Sequence, residues 1–140
     1  MKVLFDTNVI LDVLLDREPF AEEATYLMTK AEQSEIVGYL AATTITRIYY
    51  LLQKSLGNEI ATEKIETLLS VFEIIPVNRI ILEDALKSCF SDFEDSVLHM
   101  GACHTGVEYI VTRDTRGFTK SKIPVFNPIE FINMLDSINE

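Results

Sequence analysis

The sequence has no tryptophan, only two cysteines and two histidines, and no apolar run long enough to span a membrane. Five glycines and four prolines are spread singly, so no linker rich in these residues divides the chain. The first residues do not resemble a signal peptide, and the two cysteines therefore favour buried, reduced thiols and a cytoplasmic location. The histidines and cysteines lack the paired spacing of a structural zinc site. We expect a single domain over residues 1–140, without a membrane anchor.

Charge of positive sign is also scarce. The chain has 12 lysines and arginines against 22 aspartates and glutamates, which gives a formal net charge of −10. This balance argues against a protein that coats nucleic acid through its overall charge, because phosphate affinity comes largely from basic residues. It is compatible with an enzyme that holds cations in a pocket of carboxylates, since a bound metal reverses the local field.

Short runs rich in β-branched residues alternate with helical patterns along the chain. The predicted strands are residues 2–5, 36–40, 73–77, 109–112 and 123–126. The first predicted helix runs from a cap at Thr7 or Asn8 to about Leu15, and the second begins at Pro19. The next two cover residues 42–56 and the segment from Asn58 to about Phe72. The last three run from a cap at Asn78 to Cys89, over residues 93–106, and from a cap at Asn127 onward. This alternation is typical of a parallel β-sheet with helices on both faces.

Acidic residues stand where the predicted strands end. Asp6 directly follows the first strand and Asp114 follows the strand YIVT, and ligands of such sheets bind beyond the carboxyl ends of the strands. Asp92 and Asp95 lie at the start of a helix. Each acid also has an ordinary structural interpretation, as a helix cap or a turn residue. If the strands are neighbours, however, three or four carboxylates converge at one edge of the sheet.

Converging carboxylates repel one another and raise one another's pKa values, and a divalent cation removes that conflict. Mg²⁺ and Mn²⁺ both accept carboxylate ligands, and such ions support phosphodiester hydrolysis by lowering the pKa of an attacking water and stabilising the leaving oxygen. The neighbouring segment RDTRGFTKSK carries four basic residues. It is either a solvated loop or a phosphate-binding edge, and the second interpretation makes Arg113 and Arg116 substrate-binding residues.

Two stretches of this sequence resemble a known family. The opening VLFDTNVILDVLL and the later DFEDSVLHMGACHTGVEYIVTRD, in this order and spacing, are similar to PIN domains, the ribonuclease fold that includes the VapC-type toxins. Phe118 and the closing IPVFNPIEFINML fit the same pattern. The resemblance implies a three-layer α/β/α sandwich with a central parallel β-sheet. It also implies metal-dependent cleavage of RNA by an activated water, leaving 5′-phosphate and 3′-hydroxyl ends.

The resemblance further implies roles for individual residues. Its catalytic and metal-binding acids fall on Asp6, Asp95 and Asp114, and Asp92 is an additional metal-binding acid. Asn8 would orient Asp6 or a water held by the ion, while Thr7 and Thr112 would brace the site through hydrogen bonds. The expected cofactor is Mg²⁺ or Mn²⁺, the expected substrate is single-stranded RNA, and the expected partner is an antitoxin protein. A homodimer is compatible with the pattern.

One position departs from the family pattern. The second acid of PIN domains lies in the helix that here reads ATTITRIYYLL, and Arg47 takes its place. Arg47 could weaken metal binding, pair with an aspartate, or bind the scissile phosphate, and the sequence leaves these alternatives open. The alternative to a ribonuclease toxin is therefore a catalytically weak or inactive PIN fold that serves as a binding or regulatory module.

Overall fold

Five parallel strands form the centre of the molecule in the computed structural model, which describes residues 1–139. The strands are β1 (Lys2–Phe5), β2 (Val37–Ala41), β3 (Glu73–Ile75), β4 (Tyr109–Val111) and β5 (Val125–Phe126). Their order in the sheet is β3-β2-β1-β4-β5, and every neighbouring pair is parallel. Helices cover both faces, so the predicted three-layer α/β/α sandwich is confirmed.

Seven α-helices lie within the described residues. They are α1 (Thr7–Leu14), α2 (Ala21–Glu32), α3 (Ala42–Leu56), α4 (Asn58–Val71), α5 (Arg79–Leu86), α6 (Phe93–Thr105) and α7 (Pro128–Ile138), with a short 3₁₀ turn at Thr115–Phe118. Nowhere in residues 1–139 is a helix both long enough and apolar enough to cross a bilayer.

Most predicted helix boundaries agree with the structure and three do not, while the strand predicted over 73–77 already ends at Ile75. The cap of α1 is Asp6, not Thr7 or Asn8, because the Asp6 side chain accepts from the first backbone N–H of the helix. The second helix begins at Ala21 rather than Pro19, since a turn precedes it. The fifth helix ends at Leu86, three residues before the predicted Cys89. The predicted capping box at Asn127 and Glu130 is present, with its two hydrogen bonds at 2.9 and 2.8 Å.

Alternating side chains of β1 connect the two halves of the core. Val3 and Phe5 pack among residues of α1, α2, α3, α4 and α7, whereas Leu4 packs on the other face against Leu98 and Ala102 of α6. All three strand residues are completely buried. Burial on both faces explains why these strands read as continuous apolar runs. β1 is the central strand of the sheet, so Asp6, which follows β1, lies at the middle of the sheet edge.

The end of β1 is the point at which the strand order reverses. The chain moves from β1 to β2 on one side, and β4 later pairs with β1 on the other side, with Phe5 in register with Val111. The backbone N–H of Asp6 donates to the carbonyl of Val111 at 3.0 Å. The residues that follow β1 and β4 therefore share one edge of the sheet, where parallel α/β folds bind their ligands.

Candidate active site

Asp6 directly follows β1, and both oxygens of its carboxylate accept hydrogen bonds. Its Oδ1 accepts from the backbone N–H of Thr7 at 2.7 Å, and its Oδ2 accepts from the hydroxyl of Thr112 at 2.8 Å. Asn8 Nδ2 is 3.5 Å from the same Oδ2. Only 8% of Asp6 is exposed. These bonds fix the direction of the carboxylate, as the resemblance expects of Thr7, Asn8 and Thr112.

Thr112 connects the ends of the two central strands. Its hydroxyl oxygen accepts from the backbone N–H of Asp114 at 3.0 Å and from Asn8 Nδ2 at 3.4 Å while donating to Asp6. Asn8 Oδ1 in turn accepts from the backbone N–H of Arg113 at 3.2 Å. The positions of Asp6 and Asp114 are consequently coupled through one buried hydroxyl and one side-chain amide.

Asp92 and Asp95 approach the same place from the N-terminus of α6. Asp92 caps this helix, because its Oδ1 accepts from the backbone N–H of Asp95 at 2.9 Å. The structural interpretation of Asp92 as a cap is thus realised, and the same residue also lines the cleft described below. A negative charge at this end of a helix is favourable, because the helix dipole is positive there.

Gly117 brings the turn after β4 against the carboxylate of Asp95. A Cβ atom on Gly117 would lie 2.6 Å from Asp95 Oδ2 and 3.6 Å from Asp114 Oδ2. The added Cβ would clash with Asp95 Oδ2 but would be in ordinary van der Waals contact with Asp114 Oδ2, so the missing side chain of Gly117 leaves room for the Asp95 carboxylate. The sequence pattern gave no reason to single out Gly117, because nothing local to it indicates the close approach of α6.

Together these acids line one open cleft of about 390 Å³ at the edge of the sheet. Five carboxylates contribute to it, two from the ends of β1 and β4 and three from the start of α6, namely Asp6, Asp114, Asp92, Glu94 and Asp95. Arginine side chains enter from α3 and from the segment after α1, at Arg47 and Arg17. The sequence analysis did not predict that Glu94 or Arg17 lies here, and Glu94 could have been noticed only as the additional acid in DFED.

Arg47 lies at the rim of the cleft and pairs with Glu94. Its Nη1 is 3.2 Å from Glu94 Oε2, and both side chains are about half exposed. The sequence left open that Arg47 pairs with an aspartate of the cleft, and the structure instead pairs it with Glu94. No ion pair joins Arg47 to Asp6, Asp95 or Asp114 within the described part of the chain.

The two other candidate substrate-binding arginines have different surroundings. Arg113 points away from the cleft, where its guanidinium pairs with the buried Asp12 and lies 4.0 Å from the ring centroid of Phe20. Arg116 is almost fully exposed, with Nε 3.9 Å from Asp114 Oδ1. Arg116 therefore stands beside Asp114, but neither Arg113 nor Arg116 is among the residues that line the cleft.

Crowding of carboxylates raises the pKa of two of them. Burial, followed by the charges of Asp6, Asp92, Asp114 and Glu94, raises the pKa of Asp95 from 3.8 to about 7. Burial is also the main cause that raises the pKa of Asp6, against the opposing hydrogen bonds from Thr112 and Thr7. Neither acid has a basic partner among residues 1–139. With five carboxylates against two arginines, the cleft keeps a net negative charge that favours a cation.

The donor set suits a hard divalent cation that keeps much of its hydration. No three acidic, histidine or cysteine side chains of residues 1–139 are arranged so that they could close on a single ion. Magnesium is commonly held by only one or two carboxylates, with water filling its remaining positions. An ion of this kind fits a cleft whose carboxylates stand around an open space.

The raised pKa of Asp95 predicts a stability effect in metal-free protein. Between about pH 4 and pH 7 its carboxyl group is protonated in the folded state and ionised in the unfolded state, so its contribution to stability falls as the pH rises. We expect Asp95→Asn to melt a few degrees above the wild type at about pH 8 in chelator. The difference should vanish near pH 4, as measured by thermal denaturation. A variant that melts lower than the wild type at both pH values would contradict the raised pKa.

A methyl group at Gly117 should disturb the site more than the fold. The Cβ of Gly117→Ala would displace the Asp95 carboxylate, which can move because it ends a partly exposed side chain. Misplacing a reacting or positioning group by about 1 Å costs on the order of 100-fold in rate. By the same argument, the RNA cleavage that the resemblance implies should be about 10- to 100-fold slower in this variant, with the melting temperature nearly unchanged. Wild-type cleavage by this variant would show that the contact is unimportant.

Similarity to known proteins shows the family of this chain. The family model described as "PIN domain" matches residues 2–116, which include all the acids of the cleft. The chain belongs to the PIN domain family. The resemblance found in the sequence is therefore confirmed, and the PIN fold accounts for the position of the acids at the reversal of strand order.

Individual relatives of this PIN domain are distant in sequence and similar over almost their whole length. The chain is 26% identical over 135 residues to a protein named Ribonuclease VapC1 from Aquifex aeolicus, covering 93% of this chain and 92% of that one. A structure described as FitAcB from Neisseria gonorrhoeae is 23% identical with a TM-score of 0.69, covering 91% of this chain and 98% of the other. A DNA-bound VapBC from Salmonella typhimurium is 17% identical with a TM-score of 0.70 and the same coverage.

Proposed function

We propose that this PIN domain is a divalent-metal-dependent endoribonuclease that cleaves single-stranded RNA and serves as the toxin of a toxin–antitoxin pair in the cytoplasm. The observation that carries the proposal is the convergence of Asp6, Asp95 and Asp114 on one open cleft without a basic partner for the first two. The ribonuclease name of a relative that matches along nearly the whole chain supports the reaction class.

Asp6, Asp95 and Asp114 would hold Mg²⁺ or Mn²⁺, and Asp92 would assist. When bound, the cation neutralises the carboxylates, polarises the scissile phosphate and lowers the pKa of the attacking water. Asp6 needs no rearrangement for this task, because its hydrogen bonds from Thr7 and Thr112 already fix its direction. Fixed ligands of this kind reduce the cost of reorganisation during the reaction.

Basic side chains at the rim would attract and orient the RNA backbone. Arg116 stands next to Asp114 and is free to move, and Arg47 stands on the opposite element, α3, at the same cleft. Phosphates of a flexible strand could thus be held on either side of the acids. Arg113 contributes indirectly, because its pair with Asp12 anchors the backbone that precedes Asp114.

The alternative function is an inactive PIN fold that binds a partner without cleavage, which Arg47 suggests. The structure favours the active form for a specific reason. Arg47 is paired with Glu94 rather than with Asp6, Asp95 or Asp114, so these acids remain available. A partner protein is compatible with both alternatives, since one similar structure, from Klebsiella pneumoniae, is described as a toxin–antitoxin complex. A homodimer remains a prediction.

The proposal is tested by incubating purified protein with end-labelled single-stranded RNA in Mn²⁺, in Mg²⁺ and in chelator. We expect fragments with 5′-phosphate ends in either metal and none in chelator. Asp136→Asn, which changes an exposed acid on α7, serves as a matched control and should cleave like the wild type. If the folded wild type cleaves no RNA in either metal, the binding-module alternative replaces this proposal.

A further inference from the structure

α3 contributes a guanidinium to the acidic cleft and no carboxylate. Its residues at the cleft are Arg47 and Leu51, while the acids come from β1, β4 and α6. The partner of Arg47 is Glu94, which lies in the first turn of α6, between the two aspartates Asp92 and Asp95. An arginine that faces a cation-binding site would ordinarily weaken it. Here the arginine pairs with Glu94, a carboxylate of the same cleft to which the sequence resemblance assigns no role.

Glu94 lies in the same cleft as the aspartates. It lines this cleft together with Asp6, Asp95 and Asp114, and it belongs to the first turn of α6, next to Asp95 in the chain. Glutamate has the longest acidic side chain, and its exposed carboxylate at the rim is free to rotate about its side-chain bonds.

The bond that keeps Glu94 at the rim is weak. Glu94 Oε2 is 3.2 Å from Arg47 Nη1, but both side chains are about half exposed to solvent, Glu94 at 45% and Arg47 at 55%. Ion pairs between exposed side chains contribute little to stability. A cation at the aspartates attracts a carboxylate far more strongly than an exposed guanidinium does, because the cation carries two charges and binds oxygen directly.

We propose that Glu94 is an additional metal-ligating carboxylate of this cleft, and that Arg47 competes with the metal for it. Without metal, Glu94 pairs with Arg47 at the rim. With metal, Glu94 leaves Arg47 and turns toward the aspartates to bind the ion, and Arg47 becomes free for the RNA backbone. This inference rests on the proposed function, because it requires that the cleft binds a divalent cation.

Titration calorimetry with Mn²⁺ alone tests the inference without measuring activity. We expect Glu94→Gln to weaken Mn²⁺ binding about 10-fold and Arg47→Met to strengthen it about 3-fold, in line with charge-assisted and exposed interactions respectively. On the Glu94→Gln background, Arg47→Met should strengthen binding less than it does in the wild type, because the carboxylate for which Arg47 competes is already absent. Glu83→Gln removes the same charge from an exposed ion pair on α5 and should bind Mn²⁺ like the wild type.

Glu94→Asp separates ligation from a general effect of charge. This variant keeps the negative charge and shortens the side chain by one carbon, so a ligand role predicts weakened binding. If Glu94→Asp and Glu94→Gln both bind like the wild type, or if only Glu94→Gln is weakened, Glu94 is not a ligand and the inference is overturned. Asp6→Asn distinguishes this failure from that of the proposed function. Loss of Mn²⁺ binding in Asp6→Asn alone leaves the nuclease proposal standing, whereas a wild type that binds no Mn²⁺ overturns both.

Discussion

Replacing Asp6 by asparagine should lower the rate of RNA cleavage by on the order of 1000-fold, equivalent to about 4 kcal/mol of activation free energy. The substitution keeps the shape of the side chain and an oxygen for the backbone N–H of Thr7. It removes the one buried charge that the hydrogen bonds of Thr112 and Asn8 direct into the cleft. The rate is measured with single-stranded RNA in saturating Mn²⁺.

The folded state should tolerate this change, because burial already raises the pKa of Asp6 and so disfavours its charged form. We expect the melting temperature of Asp6→Asn in chelator to equal or exceed that of the wild type. Asp136→Asn is again the control, since it makes the same chemical change on the exposed side of α7. Cleavage by Asp6→Asn within threefold of the wild-type rate would remove Asp6 from the catalytic residues.

Replacing Arg113 by methionine should destabilise the fold by about 3 kcal/mol. The carboxylate of Asp12 is completely buried and accepts two hydrogen bonds from this guanidinium, at 2.6 and 3.2 Å. The nearest remaining cation is Arg17, whose Nη1 is 3.7 Å from Asp12 Oδ1. Loss of Arg113 therefore leaves a buried charge with a single longer and more exposed partner. The expected decrease in melting temperature is about 10 °C, measured by calorimetry.

Arg116→Met provides the comparison for Arg113→Met, because it removes one positive charge from the same segment. Arg116 is 96% exposed and its contact with Asp114 is long, so its loss should leave the melting temperature unchanged. Equal melting temperatures for the two variants would mean that the buried pair does not stabilise the fold. The same pair of variants separates the two arginines, since only Arg113 pairs with a buried acid, whereas Arg116 lies in solvent beside Asp114.

The chain order of elements was predictable because local signals marked it. Asn78, Asp92 and Asn127 each cap the helix expected of them. The strand predicted over 123–126 is shorter, at Val125–Phe126, because β5 pairs only with the last two residues of a three-residue β4. The length of a strand at the edge of a sheet depends on the neighbouring strand with which it pairs, and the local sequence carries no information about that neighbour.

The acids of the site were predictable because the topology brings strand ends together. Asp6 and Asp114 each follow an apolar run, and parallel strands place such residues at one edge. The roles of the basic residues were not predictable in this way. Arg113 and Arg116 are three residues apart in one segment, yet one is paired with a buried acid and the other is in solvent. The pair of Arg47 and Glu94 joins residues 47 positions apart through side-chain reach alone.

The central claim is that acids distant in the chain form one divalent-cation site. The most direct measurement is anomalous diffraction from crystals of the wild-type protein soaked in Mn²⁺. We expect an anomalous peak in the cleft between Asp6, Asp95 and Asp114, and we expect it to disappear in crystals of Asp6→Asn. A wild-type crystal at millimolar Mn²⁺ with no peak in this cleft would contradict the account.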